Sequence, residues 1–138
     1  MNRKNTPNLL RLSDSMLMLE RPADDLRDRK VFDSDDEEVG KVEDLFIDEG
    51  EGKVRFLLVR AGGFLGIGAE HLLIPVDAVA AIDKKGVHIS HGRQHMAGAP
   101  QYDPNLVTQD YYQSLYGYYG YGPFWSAGYM YPTYPYYI

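Results

Sequence analysis

Residues 54–76 read VRFLLVRAGGFLGIGAEHLLIPV, two apolar runs on either side of a glycine-rich loop that carries Phe64, Leu65 and Ile67. Residues 53–59 are dense in β-branched and large apolar side chains, Gly62 and Gly63 interrupt them, and residues 71–76 resume the run. That punctuation predicts a long antiparallel hairpin. Val54, Phe56 and Leu58 share one face of its first strand and Leu57 and Val59 the other, so both faces need cover. Pro75 cannot donate to a ladder, which places the second strand at an edge, an end or a bulge.

The neighbouring segments continue the pattern. Val31 and Phe32 lead into the acidic run Asp33-Ser34-Asp35-Asp36-Glu37-Glu38, and an apolar segment from Val39 follows, the pattern of a hairpin with a solvated turn. Asp33, Asp35 and Glu37 have the spacing of a calcium loop, but Glu38 stands where such a loop needs glycine, so a plain turn is expected. Residues 42–49 read as a strand with Leu45 and Ile47 on one face and Phe46 on the other. After a turn at 77–80, Gly86 opens a last strand with Val87 and Ile89 inward and His88 and Ser90 outward. Upstream, residues 9–20 fit neither period cleanly; a short strand at 17–19 and a turn of helix at 22–26 are expected. The fold class is therefore all-β: a small closed or partly open antiparallel β-barrel of five to six short strands. Residues 1–14 are expected as an arm, 15–100 as the barrel and 101–138 as an extended aromatic tail.

Size and charge narrow the function. At 138 residues there is room for one core, and a net charge of −6 disfavours nonspecific hold on nucleic acid or an anionic membrane. Zero cysteines exclude disulfides, thiolate metal sites and a cysteine nucleophile. No signal peptide is recognisable, and the uncharged run 111–138 is too rich in Tyr, Gly and Pro to span a bilayer, so a cytoplasmic protein with no membrane span is expected. A barrel of about 75 residues is of marginal stability alone, and leaving Phe64, Leu65 and Ile67 in water forgoes roughly 1.5–3 kcal/mol each. The hairpin tip is expected to meet another chain or the tail.

The segments VGKVEDLFID, VRFLLVRAGGFLGIG, LLIPVDAV and APQYDPNLV, within residues 15–107, resemble the PRC-barrel domain family. This superfamily includes the cytoplasmic domain of the photosynthetic reaction-centre H-subunit and the C-terminal domain of ribosome maturation factors. The chain departs from the family in having Asp36-Glu37 where an Asp-Gly turn is usual. The resemblance implies a small β-barrel and brings no catalytic residues.

Nothing else in the chain points to chemistry. His88, His91 and His95 are spaced H-x-x-H-x-x-x-H, with His71 upstream, yet strand geometry sends His88 away from the loop holding the other two, so surface histidines are expected and no metal or cofactor. The glycine loop at 62–68 runs into a strand where a phosphate loop opens a helix. Paired carboxylates such as Glu43-Asp44 and Asp48-Glu49 point apart, and no serine sits in a nucleophile elbow. An enzyme is not expected.

The tail is the distinctive feature: residues 111–138 hold 11 of the 12 tyrosines, Trp125 and no charge, with a brief helical segment expected at 106–112. Such a segment serves as an adhesive contact surface, as cover for the barrel's second apolar face, or as a stacking platform for sugars or single-stranded RNA. The expectation is a non-catalytic protein-interaction or assembly module, a homodimer with a further protein partner unidentified and nucleic acid disfavoured. Candidate interface residues are Phe64, Leu65, Ile67, Leu57, Val59, Tyr118, Tyr119, Tyr121 and Trp125. The alternatives are an RNA-processing or ribosome-assembly accessory, and a factor associated with a photosynthetic or other membrane complex.

Overall fold

The computed structural model describes residues 8–14, 25–62, 71–105 and 108–138. Its strands are β1 (Leu9–Arg11), β2 (Lys30–Phe32), β3 (Glu38–Asp48), β4 (Val54–Ala61), β5 (His71–Pro75), β6 (Val79–Ile82) and β7 (Val87–Ile89), followed by helices α1 (Arg93–Ala97) and α2 (Gln109–Tyr119). The strands form one sheet in the order β5-β4-β3-β2-β7-β6, and β1 adds to β3 beside that path.

The expected hairpin is present: β4 and β5 run antiparallel from Phe56 opposite Pro75 to Arg60 opposite His71. Pro75 closes an edge strand, where its missing N–H breaks no ladder. The acidic turn is likewise a hairpin, with Lys30 opposite Lys41. Here Asp33 does the organising. One of its oxygens accepts from the Asp35 and Glu37 amides, each at 2.9 Å, and the other from the Arg93 amide at 3.0 Å, so the turn is tied to the start of α1.

The expected small β-barrel fold is present and differs from expectation in two details. The sheet is mixed, because β2 and β7 pair in parallel, with Val31 beside Val87 and Phe32 beside His88. It has seven strands, and the additional one, β1, comes from the segment read as an arm: Leu9, Leu10 and Arg11 lie opposite Asp48, Ile47 and Phe46. Of the helical turn expected at 22–26 only Asp25 and buried Leu26 are described, and a turn follows at 27–28. The strand expected at 17–19, Pro22 and the hairpin tip with Phe64, Leu65 and Ile67 lie outside the described residues.

Bulges curl the sheet into a half-barrel. Between Phe46 and Ile47, β3 advances one residue while β4 advances from Phe56 to Val54, which leaves Arg55 as the extra residue. A bulge bends its strand and re-aims a side chain. The last five residues of β3 and all of β4 from Val54 to Val59 are buried, so both faces are covered. Leu57 and Val59 are fully buried within this core.

Candidate interaction surface: the aromatic tail on the barrel

The tail supplies the cover. Thr108 caps α2 by accepting from the Tyr111 amide at 3.2 Å, and Gly120, in the left-handed region at φ 90°, ends it. The Tyr121 amide then bonds back to the Tyr116 carbonyl at 2.8 Å and the Gly120 amide to that of Gly117 at 3.1 Å, a Schellman termination. Tyr112, Leu115, Tyr116 and Tyr119 are the buried residues of the helix, a stripe at i, i+3, i+4 and i+7. Tyr112 stacks on Phe56 of β4 with centroids 5.4 Å apart, and Tyr116 meets the same ring at 5.0 Å.

Beyond α2 the chain closes over Arg55. This guanidinium is buried, with Nε 2.6 Å from Asp48 Oδ2 and an outer nitrogen 3.1 Å from Glu51. Its carbon stands 4.3 Å from the Phe124 ring centroid, 5.4 Å from Tyr131 and 5.9 Å from Tyr129. The buried cation thus has a carboxylate partner and aromatic rings around it, the surroundings in which a desolvated cation–π contact is strongest. Tyr129 donates to Asp77 at 2.8 Å and Tyr131 to the Val54 carbonyl at 2.9 Å. Burial raises the Asp77 carboxyl above its usual range, although the Tyr129 hydrogen bond and the Arg55 charge oppose it. Residues 136–138 finally run beside β6, where the Ile82 amide donates to the Tyr136 carbonyl at 2.7 Å and the Ile138 amide to that of Ile82 at 2.9 Å.

The histidines clamp the other end of α2. His91 Nε2 lies 3.0 Å from the Tyr119 carbonyl and His95 Nε2 3.2 Å from that of Tyr118, while the two rings stack at 5.1 Å. Orphan carbonyls at a helix C-terminus are thereby satisfied. His95 belongs to α1, a helix the sequence reading placed in a loop. His88 is elsewhere, stacked on Phe32 with Nε2 2.9 Å from Asp83. His71 meets Glu43 at 3.1 Å.

A second buried carboxylate ties β1 to β3. Asp44 accepts from Arg11 Nε at 3.0 Å, from the Ser13 amide at 3.2 Å and hydroxyl, and from the Leu45 amide at 2.8 Å. Burial raises its carboxyl, but these hydrogen bonds outweigh burial and hold it below the usual carboxylate range.

The buried polar side chains Asp33, Asp44, Asp48 and Arg55 therefore hold turns, strands and tail together. The family model of the PRC-barrel domain matches residues 18–92, which is 75 of the 138 residues. The chain belongs to the PRC-barrel family. PRC-barrel domains are in general non-catalytic modules. The match ends at Gly92, just before α1, and leaves the tail outside it. A search of curated proteins found no match.

Of the candidate interface residues, the structure brings Tyr118 and Tyr119 together at the His91–His95 clamp, and Tyr121 meets His91 with centroids 6.0 Å apart. Trp125 lies apart from them, edge-on to Tyr116 at 6.1 Å. Tyr118, Tyr121 and Trp125 are half-buried, whereas Tyr119, Leu57 and Val59 are buried inside the chain and offer nothing to a partner docking on the outside. Sequence reasoning missed Arg55, which strand alternation groups with Leu57 and Val59; an arginine inside an otherwise apolar strand was the available signal. Among the described residues no helix is long and apolar enough to cross a membrane.

Proposed function

We propose that this PRC-barrel protein is a non-catalytic, cytoplasmic interaction or assembly module that acts as a homodimer, with the outward side of its docked tail as the contact surface. The observation that supports this reading is exposure. Among the described residues the large apolar side chains left in solvent are Met130 at 84%, Tyr136 at 50%, Tyr137 at 42% and Ile138 at 74%, all in the tail. Apolar groups gathered on one exposed segment mark a contact site. A second copy is the partner of choice, since like surfaces related by a two-fold axis bury each other and a small domain gains core by pairing. Half-buried Tyr118, Tyr121 and Trp125 extend the proposed surface, and the sequence adds Phe64, Leu65 and Ile67.

Light scattering on the eluting protein tests this. The unaltered chain is expected at twice the monomer mass, and Met130→Glu with Tyr136→Glu at the monomer mass, still folded by circular dichroism but melting at a lower temperature because the stabilisation from pairing is lost. A dimer that survives both substitutions would refute this contact surface.

A further inference from the structure

On this acidic chain, four cations converge on one cleft of about 450 Å³, a volume typical of small-molecule sites. Arg29 and Lys30 come from the start of β2 and Lys84 and Lys85 from the turn between β6 and β7, while buried Phe32 is covered by the stacked His88 ring and by Lys85, whose Nζ lies 4.9 Å from the Phe32 ring centroid. The parallel pairing of β2 with β7 brings the two sides together. Gly86 lets them close: its φ is 152°, and a Cβ there would stand 2.2 Å from the Lys30 carbonyl oxygen. The placement of the cations therefore follows from the backbone.

Acidic groups offset part of this charge. Lys85 Nζ lies 2.8 Å from Asp36, Lys30 Nζ lies 3.8 Å from Glu38, and Asp28 also lines the cleft. Arg29 and Lys84 form no ion pair among the described residues, and the Arg29 guanidinium carbon is 5.8 Å from the Tyr137 ring centroid.

We propose that this cleft binds a small phosphorylated ligand. Arg29 engages two phosphate oxygens with its planar fork, and Lys84 and Lys85 neutralise the remaining charge. An arginine fork matches phosphate geometry, and lysines act on it as point charges.

The test is titration of the full chain with pyrophosphate at constant ionic strength, followed by amide NMR. Saturable shifts at Lys30, Lys84 and Gly86 are expected. Arg29→Gln and Lys84→Gln should each weaken binding about tenfold, the loss of one charge-assisted contact. Lys53→Gln, in the turn before β4, should leave binding unchanged. Lys84 sits on an exposed turn, so its variant remains informative if Arg29→Gln does not fold. Shifts that never saturate, that chloride reproduces, or that weaken equally in Lys53→Gln would overturn the proposal.

Discussion

The Arg55 guanidinium carbon stands 4.3 Å from the centre of the Phe124 ring, joining a bulge in the barrel to the tail that covers it. Arg55→Ala would leave Asp48 buried without its counter-charge, and a loss of about 3–5 kcal/mol is expected. Phe124→Ala removes a ring face from the cation together with the ring's contacts to Tyr116 and Trp125, and is expected to cost about 2 kcal/mol. Urea unfolding of both variants checks the order; equal losses would mean that the ring and the carboxylate do not act separately.

The hydroxyls of Tyr116 and Tyr119 are buried and make no hydrogen bond among the described residues, whereas that of Tyr131 bonds to the Val54 carbonyl. A buried polar group without a partner costs about 1–3 kcal/mol. Tyr116→Phe and Tyr119→Phe are therefore expected to raise the melting temperature, and Tyr131→Phe to lower it. Calorimetry on the three variants reads the signs directly.

Burial pushes the Tyr112 phenol up to about 12 and raises Tyr111, Tyr116, Tyr119 and Tyr129 as well. In the unfolded chain these phenols ionise near 10. Above that pH the unfolded state binds fewer protons than the folded state, so stability falls as pH rises. The tail is expected to detach from the barrel above pH of about 10, seen as a loss of near-ultraviolet dichroism. A spectrum unchanged well beyond that pH would contradict the packing of these rings.

Asp44 works at the other end of the pH scale. Because hydrogen bonds hold its carboxyl below the unfolded value near 3.9, its contribution is complete above that pH and is lost as pH falls through the folded value. Asp44→Ala is expected to cost roughly 2–3 kcal/mol at neutral pH, with the gap to the unaltered protein narrowing below about pH 4. Stability curves for both proteins across acid pH decide this.

Much of the barrel was legible because its signals are local. Alternation in β4, Gly62 and Gly63 after it, and Pro75 at the end of β5 each speak for their own neighbourhood. The parallel partner of β2 was not legible, since Val31 and Val87 are brought together by everything between them and leave no mark on either segment. Leu9, Leu10 and Arg11 carry too little period to announce β1. The tail was half legible: Tyr112, Leu115, Tyr116 and Tyr119 have helical spacing, but nothing local says that Phe56 receives two of those rings. Arg55 escaped notice because a bulge, invisible in the alternation, turns it toward Phe124.

Sedimentation velocity of the unaltered chain over a wide concentration range tests the proposed self-association most directly. A monomer at high dilution is expected to give way to a single dimeric species as concentration rises. A boundary that stays monomeric across the whole range would contradict it.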